Sequence, residues 1–339
     1  MAARSTILVT GAAGFIGMRV AEMLLARGDA VAGLDALTPY YDPALKRARL
    51  ARLAAHENFR FFDTDLSEPQ ATLAAFDAVQ PDAVVHLAAQ PGVRASIDNP
   101  LACIRANCDG FATVLEAAHR HHVRHLVFAS SSSVYGANRR LPYGTDQAVD
   151  HPVSLYAASK KANELMAHAY AHVHRLPVTG LRFFTVYGPW GRPDMAVYGF
   201  TRAIFAGTPI RIFNHGAMKR DFTYIDDVAE GVVCTLDRTA APDPAWRADA
   251  PDPATSDAPY RLYNIGNSQP VGLLDFVAEL ERACGRPAIR ELLPMQPGDV
   301  LETSADTSAL ERDVGFRPAT PLGLGLDRFV AWFRAYHGV

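Results

Sequence analysis

Thr6-Ile7-Leu8-Val9-Thr10-Gly11-Ala12-Ala13-Gly14-Phe15-Ile16-Gly17 decides how this chain folds. The first five residues form a β-branched, apolar run that reads as a strand. Met18, Val20, Ala21, Met23, Leu24 and Leu25 then follow in a helical pattern. Between them, glycines at G-x-x-G-x-x-G spacing make a tight turn with no Cβ in the way. A diphosphate can lie there against the helix N-terminus, where free N–H groups and the dipole favour negative charge. The spacing is not the G-x-G-x-x-G of the usual dinucleotide fingerprint. The strand before and the helix after are the context that gives it meaning. Gly11, Gly14, Phe15, Ile16 and Gly17 are therefore expected cofactor contacts.

Outward from this turn, residues 30–34 read as a second strand ending at Asp35, 24 positions after Gly11. That is near the ~20-residue offset of the acid that binds the ribose hydroxyls of NAD. A carboxylate there repels the extra phosphate of NADP. A polar, Arg-rich helix follows over 43–56. Residues 59–62 make a third strand running into Asp63-Thr64-Asp65-Leu66, where Asp65 is expected to face the adenine amino group. Residues 83–89 are a buried parallel strand, apolar nearly throughout. It opens into Gln90-Pro91-Gly92-Val93-Arg94 at the carboxyl edge, where ligands of open α/β sheets sit. Leu87, Ala88, Ala89 and Gln90 join the expected cofactor contacts, with Asn107 on a long helix over 100–122. His119, His121 and His122 cluster at that helix's end, but neighbouring helical residues point in different directions. They read as a solvated terminus, and no metal is expected.

Residues 125–129 form the next strand and end in Ser130-Ser131-Ser132-Ser133-Val134-Tyr135-Gly136. A helix opens at Tyr156-Ala157-Ala158-Ser159-Lys160, and 178–183 is a further strand. Such alternation predicts an α/β fold with a doubly wound parallel sheet. The pattern breaks at Thr185-Val186-Tyr187-Gly188-Pro189-Trp190-Gly191-Arg192-Pro193, marking a second, smaller α/β lobe. The expected division is 1–183 plus about 220–240 for the dinucleotide domain, and 184–219 with 241–339 for the substrate domain. Residues 240–259, rich in Ala, Pro and Asp, read as a surface loop or disordered insertion.

Composition narrows the class. Of 339 residues, 49% are hydrophobic and 20% charged, which is ordinary for a globular protein. The formal net charge of -3 points to neither nucleic acid nor an acidic membrane surface. Cys103, Cys108, Cys234 and Cys284 form no C-x-x-C pair, which fits a reducing compartment. No apolar run approaches ~18 residues, and the first strand leaves no room for a signal peptide. The expectation is a cytoplasmic protein.

Tyr156 and Lys160 are four apart on a helix and share one face. A tyrosine with a pKa of about 10 is a poor base at neutral pH. A lysine ammonium beside it, with the positive charge of bound NAD, is expected to favour the phenolate. Lysine there can also hold the nicotinamide ribose. Ser131 lies at the carboxyl end of the preceding strand, where its hydroxyl can orient or pass the proton.

With these residues in this order, the sequence resembles the extended short-chain dehydrogenases/reductases with a Rossmann-type domain, in their nucleotide-sugar epimerase group. The resemblance covers nearly the whole chain. It includes His86-Leu87-Ala88-Ala89-Gln90, Arg182-Phe183-Phe184-Thr185, Lys219-Arg220-Asp221-Phe222-Thr223-Tyr224 and Tyr263-Asn264-Ile265-Gly266. Tyr40-Tyr41-Asp42-Pro43, Gly191-Arg192-Pro193-Asp194 and Pro294-Met295-Gln296-Pro297-Gly298-Asp299-Val300 make it most similar to the UDP-glucuronate 4-epimerases. The resemblance implies NAD as cofactor, Tyr156 as base, Lys160 on the nicotinamide ribose and Ser131 as the catalytic Ser/Thr. It implies reversible inversion at C4 through a 4-keto sugar, and a homodimer paired through the helices at 100–122 and 154–174. Related dehydratases and decarboxylases carry an acid next to or at Ser133, and this chain has none. Pro91, Ser131, Ser132, Ser133, Thr185 and Arg192 are expected around the sugar. Arg211, Phe213, Arg220 and Asp299 are expected around the uridine diphosphate. Gln296 stands where many relatives have a second diphosphate arginine, with Arg286 and Arg290 as substitutes to consider. The competing readings are a UDP-glucose or UDP-N-acetylglucosamine 4-epimerase, a UDP-glucuronate decarboxylase, and a non-catalytic NAD-binding scaffold.

Overall fold

A computed structural model describes residues 5–296 and 299–339. The first half alternates β1 (Thr6–Thr10), α1 (Phe15–Arg27), β2 (Ala30–Asp35), α2 (Pro43–Ala54), β3 (Phe59–Asp63), α3 (Pro69–Val79) and β4 (Ala83–His86). It continues with α4 (Val93–Asp98), α5 (Pro100–Ile104), α6 (Gly110–Arg120), β5 (His125–Ser131), α7 (Leu155–His174) and β6 (Val178–Phe183). Beyond it come β7 (Thr185–Tyr187), α8 (Ala196–Ala206), β8 (Ile210–Ile212), β9 (Lys219–Tyr224), α9 (Ile225–Asp237) and β10 (Tyr260–Ile265). The chain ends with β11 (Pro270–Gly272), α10 (Leu273–Cys284), β12 (Arg290–Leu292), α11 (Ser308–Val314) and α12 (Leu322–His337).

Seven parallel strands form the central sheet in the order β10-β6-β5-β4-β1-β2-β3. Alternate residues of each strand face opposite layers. Ile7 and Val9 pack with Met18, Leu24, Val228, Val232 and Phe329 on one side. Leu8 packs with Phe76, Val114, Leu115 and Ala167 on the other. Burial on both faces explains the nearly continuous apolar strands. The strand order reverses between β1 and β4, and a crevice opens there at the carboxyl ends. The smaller lobe is a sheet of order β11-β9-β7 with a β12-β8 pair.

One expectation is corrected and two gain detail. Residues 241–339 do not all belong to the smaller lobe, because Tyr260–Ile265 is the outermost strand of the central sheet, beside β6. Its partner Val178 is distant in sequence, so no local pattern reveals the pairing. Residues 240–259 form a mostly exposed loop, the first of the two readings, and its end is anchored: Ala254 and Ala258 are buried beside β10, and Ser256 Oγ bonds His168 Nε2 at 2.9 Å. The helix expected over 100–122 runs unbroken over 100–120, with one π-helical turn at Arg105–Asp109 between α5 and α6. Such turns widen the backbone and redirect side chains. Here the Asn107 carbonyl accepts a bond from Asn163 Nδ2 at 2.7 Å.

Glu164 and Arg182 form a fully buried ion pair, 2.8 Å from Nε to Oε1 and 2.9 Å from Nη2 to Oε2. Removing one partner strands the other charge away from water. Glu164→Ala is expected to cost about 3–5 kcal/mol of unfolding free energy. The apolar double replacement Glu164→Leu with Arg182→Met should cost less than either single change. Urea denaturation with circular dichroism checks both.

Candidate active site

The glycine turn forms because nothing else fits. Gly11 has φ +71, and a Cβ on it would lie 2.8 Å from the Ala88 nitrogen. A Cβ on Gly17 would fall 2.0 Å from the Gly11 carbonyl oxygen. The Gly11 N–H donates to Leu34 O at 2.7 Å and the Gly14 N–H to Gly11 O at 2.8 Å, so the turn is closed on itself. Gly14 caps α1 without a side-chain bond, leaving the first N–H groups facing the crevice. Asp35 stands at the end of β2. Its carboxylate accepts the Ala13 N–H at 3.1 Å and the Leu37 N–H at 2.9 Å. Burial raises its pKa against the pull of Lys46 and those two N–H groups. A glycine cradle that a Cβ would fill, a free helix start and an acid beyond it fit a dinucleotide. Asp65 Oδ1 accepts from Ser67 N and Oγ at the next strand end.

Across the crevice, Ser154 caps α7 by accepting the Ala157 N–H at 3.1 Å. Tyr156 therefore sits in the first turn and Lys160 one turn later. The Lys160 ammonium is buried and donates to Ala129 O at 2.9 Å, and burial pushes its pKa down to about 8. Tyr156 differs from expectation. Burial raises its pKa, while Ser131 and the more distant Arg192 favour the phenolate. Lys160 is not among the groups that shift it. The protein environment by itself thus keeps the phenol protonated. His86, beside Lys160, is driven to about 3 by burial and by that charge, so it is neutral, and its Nδ1 bonds Thr10 Oγ1 at 2.9 Å.

The expected residues Gly11, Gly14, Phe15, Ile16, Gly17, Asp35, Asp65, Leu66, Leu87, Ala88, Ala89, Gln90, Tyr156 and Lys160 line one cleft of about 1270 Å³. So do Pro91, Ser131, Ser132, Ser133, Thr185, Arg192, Arg211, Phe213, Arg220 and Asp299. Asn107 does not. It is buried, accepts the Gln90 N–H at 2.7 Å and donates to Gln90 O and Ser159 Oγ, so it holds the Gln90 peptide from behind. At the nucleotide end, Arg220 donates to Lys219 O and Leu301 O. Burial lowers its pKa against the attraction of Asp299. The Arg94 guanidinium, not singled out in the sequence, lies 5.3 Å from the Phe213 ring centre. Arg286 and Arg290 are engaged by Phe205 O and Glu281, outside the cleft. Pro297 and Gly298 lie outside the described residues.

Arg192 gives Asp194 a two-pronged contact, Nε to Oδ1 at 3.0 Å and Nη2 to Oδ2 at 2.5 Å. Burial opposes its charge, but the Asp194 pair prevails and keeps it firmly cationic. Asp194 also accepts from the Tyr40 hydroxyl at 3.2 Å. Lys46 and Arg49 were missed inside a helix read as polar. Their signal was spacing: Leu45, Arg49 and Leu53 share one helical stripe, and all are buried. Among the described residues, no group of three or more His, Cys, Asp or Glu could hold a metal, and no helix is long and apolar enough to cross a membrane.

Residues 7–266 match the model of the NAD dependent epimerase/dehydratase family, and the chain belongs to that family. It is 46% identical over 330 residues to a probable UDP-glucuronate 4-epimerase of Rhizobium meliloti, covering 96% of each chain. Its fold is similar to that of the UDP-glucuronic acid 4-epimerase of Bacillus cereus in complex with UDP-glucuronic acid and NAD. The TM-score is 0.86 at 30% identity, covering 98% of this chain and 99% of that one. It is also similar to a UDP-glucose 4-epimerase of Thermotoga maritima with UDP-glucose, with TM-score 0.84 and 26% identity over 98% and 99% of the chains.

Two outcomes follow from this geometry. Gly17→Ala places a Cβ against backbone and should open the turn. The measurement is NAD released on denaturing the purified protein, expected to fall at least about tenfold relative to the parent. The second concerns Lys160, whose pKa is about 8 when folded and near 10.5 when unfolded. Between these values the unfolded chain binds the extra proton, so this group makes stability rise with pH. Lys160→Met should remove that rise, read from urea midpoints across the interval.

Proposed function

We propose that the protein is an NAD-dependent UDP-glucuronate 4-epimerase that interconverts UDP-glucuronate and UDP-galacturonate. The observation that carries this reading is Arg192, a partly buried cation facing the same cleft as Tyr156, Ser131, Ser132 and Ser133, with no carboxylate within that serine cluster. Similarity to enzymes named for this reaction supports it.

NAD, when bound, supplies a hydride acceptor that is regenerated in each turnover. Gly11, Gly14 and the start of α1 hold its diphosphate, Asp35 its adenosine ribose, and Lys160 its nicotinamide ribose. Tyr156, with Ser131 beside it, takes the proton from the sugar 4-hydroxyl as the C4 hydride leaves. Lys160 does not by itself draw Tyr156 toward phenolate, and the positive charge of bound NAD would add that pull. The 4-keto sugar turns over while Arg220, Asp299, Phe213 and Arg211 keep its nucleotide tethered. Tyr156 then returns the proton after hydride arrives on the opposite face.

The 4-keto uronate is a β-keto acid and loses carbon dioxide when its C5–carboxylate bond stands perpendicular to the ketone plane. Thr185, Ser132, Ser133 and Arg192 hold the carboxylate away from that geometry. Nε and Nη2 of Arg192 are turned to Asp194, so the sugar carboxylate meets the remaining N–H donors of a guanidinium that the pair holds in place.

The smaller lobe, residues 184–224 with the segments after β10, binds the nucleotide sugar. The protein acts as a homodimer in the cytoplasm. Ile97, Leu101, Leu165 and Val173 are exposed on α4, α5 and α7 and give those helices an apolar outer face. The four cysteines are unpaired, which fits a reducing compartment.

Incubation with UDP-glucuronate, resolved by NMR, should give a mixture with UDP-galacturonate, no pentose and no net NADH. Conversion of UDP-glucose or UDP-N-acetylglucosamine instead would move the assignment to those epimerases, and a pentose product would assign a decarboxylase. Tyr156→Phe should lower turnover by about 10²–10⁴ while NAD stays bound. A scaffold would show no turnover to lose.

A further inference from the structure

Arg49 and Arg182 are the largest fully buried side chains among the described residues, and Arg49 sits outside the machinery described above. All five of the Arg49 N–H donors are used, and every acceptor is a neutral oxygen. Nε and Nη2 donate to Trp190 O at 3.1 and 2.6 Å, and Nη2 also to Gly191 O at 3.1 Å. Nη1 donates to Ala13 O at 3.2 Å and to the Tyr41 hydroxyl at 2.5 Å. Burying a cation among neutral acceptors is costly, and an apolar side chain would fill the space more cheaply. Only a planar five-donor fork reaches three chain segments at once.

Those segments are informative. Trp190 and Gly191 immediately precede Arg192. Trp190 has φ +65, a left-handed conformation that a bulky residue rarely adopts. Arg52, one turn on from Arg49, lies over its ring at 5.4 Å. Trp332 and Tyr336 of α12 also pack against that ring. The unusual turn is thus held through its carbonyls from α2 and through its ring from α2 and α12. Ala13 belongs to the glycine turn, and its N–H is held by Asp35.

We propose that Arg49 is the positioning residue for uronate recognition: it sets the turn that presents Arg192 to the sugar carboxylate and ties that turn to the cofactor's glycine turn. The proposal rests on the reading of Arg192 given above. Arg49 touches neither sugar nor nucleotide, so its effect must pass through Arg192. Its signature is a loss of discrimination for the carboxylate, without general weakening of UDP-sugar binding.

The test measures UDP-glucuronate and UDP-glucose binding by calorimetry on the NAD-loaded protein, in a Tyr156→Phe background that prevents turnover. Arg49→Lys keeps the charge but not the fork. It should weaken UDP-glucuronate binding about tenfold and leave UDP-glucose within about twofold. In the active enzyme it should raise KM for UDP-glucuronate more than it lowers kcat, and release pentose. Equal weakening of both ligands, or of neither, overturns the proposal. Arg192→Ala is run alongside. If it keeps the preference for UDP-glucuronate, the carboxylate reading has failed and takes the proposal with it. If Arg192→Ala loses the preference and Arg49→Lys keeps it, only the role of Arg49 fails. Should Arg49→Lys not fold, Arg52→Ala at an exposed position decides. It should lower the same preference about twofold to threefold, and an unchanged preference overturns the proposal.

Discussion

On α7, one turn beyond Lys160, the Glu164 carboxylate accepts two N–H bonds from Arg182 on β6 and the Ser130 hydroxyl at 2.7 Å from β5. Arg182 reaches on to the Tyr135 hydroxyl, which donates to Asn264 on β10. Asn264 in turn bonds the carbonyls of Tyr143 and Asp306. One buried network therefore fixes the helix that carries Tyr156 and Lys160 against the strand end that carries Ser131. Such a pair contributes little net stability once desolvation is included. Its consequence is register: sliding α7 along the sheet would leave two charges unpartnered, so Tyr156 and Ser131 stay facing each other.

Burial also determines the electrostatics of the site. His86 is held neutral, Lys160 is weakened as an acid-base partner, and Tyr156 is pushed toward the phenol. A pocket that resists charge in this way responds strongly to any charge brought into it, because fields are poorly screened there. Around Arg192 the cleft is built differently. Arg192 retains its cation through Asp194, whose own carboxyl is held below its ordinary range by that arginine despite burial. A carboxylate already matched to the fork keeps the guanidinium oriented.

The two lobes share one hydrophobic cluster, from Ile7 and Val9 to Phe222 and Phe276, and polar bonds brace them beside the cleft. Tyr40, from the loop after β2, bonds Asp194 of the smaller lobe. Arg49 joins the glycine turn to the turn before Arg192. Both arise from the segment that follows Asp35, so the glycine turn and the turn before Arg192 are braced by neighbouring residues. At the opposite end of the cleft, Arg220 and Asp299 attract one another.

The amino-acid sequence by itself determined the α/β class, the glycine turn, Asp35 and the Tyr156/Lys160 pair, because each is a short-range pattern. A strand running into glycines, an acid at a strand end and two residues four apart on a helix need no distant partner to be read. Tertiary structure decided what local pattern cannot. It placed Tyr260–Ile265 beside β6 and anchored the end of the 240–259 loop on the core. It also turned Asn107 away from the cleft through a π-helical turn. Along α2, Arg47 and Arg52 are exposed while Lys46 and Arg49 are buried. All four are cationic residues of one helix, and only the acceptors brought by Ala13, Trp190 and Gly191 distinguish Arg49. Hydrogen-bond partners for a buried cation come from segments more than a hundred residues apart, and folding alone brings them together.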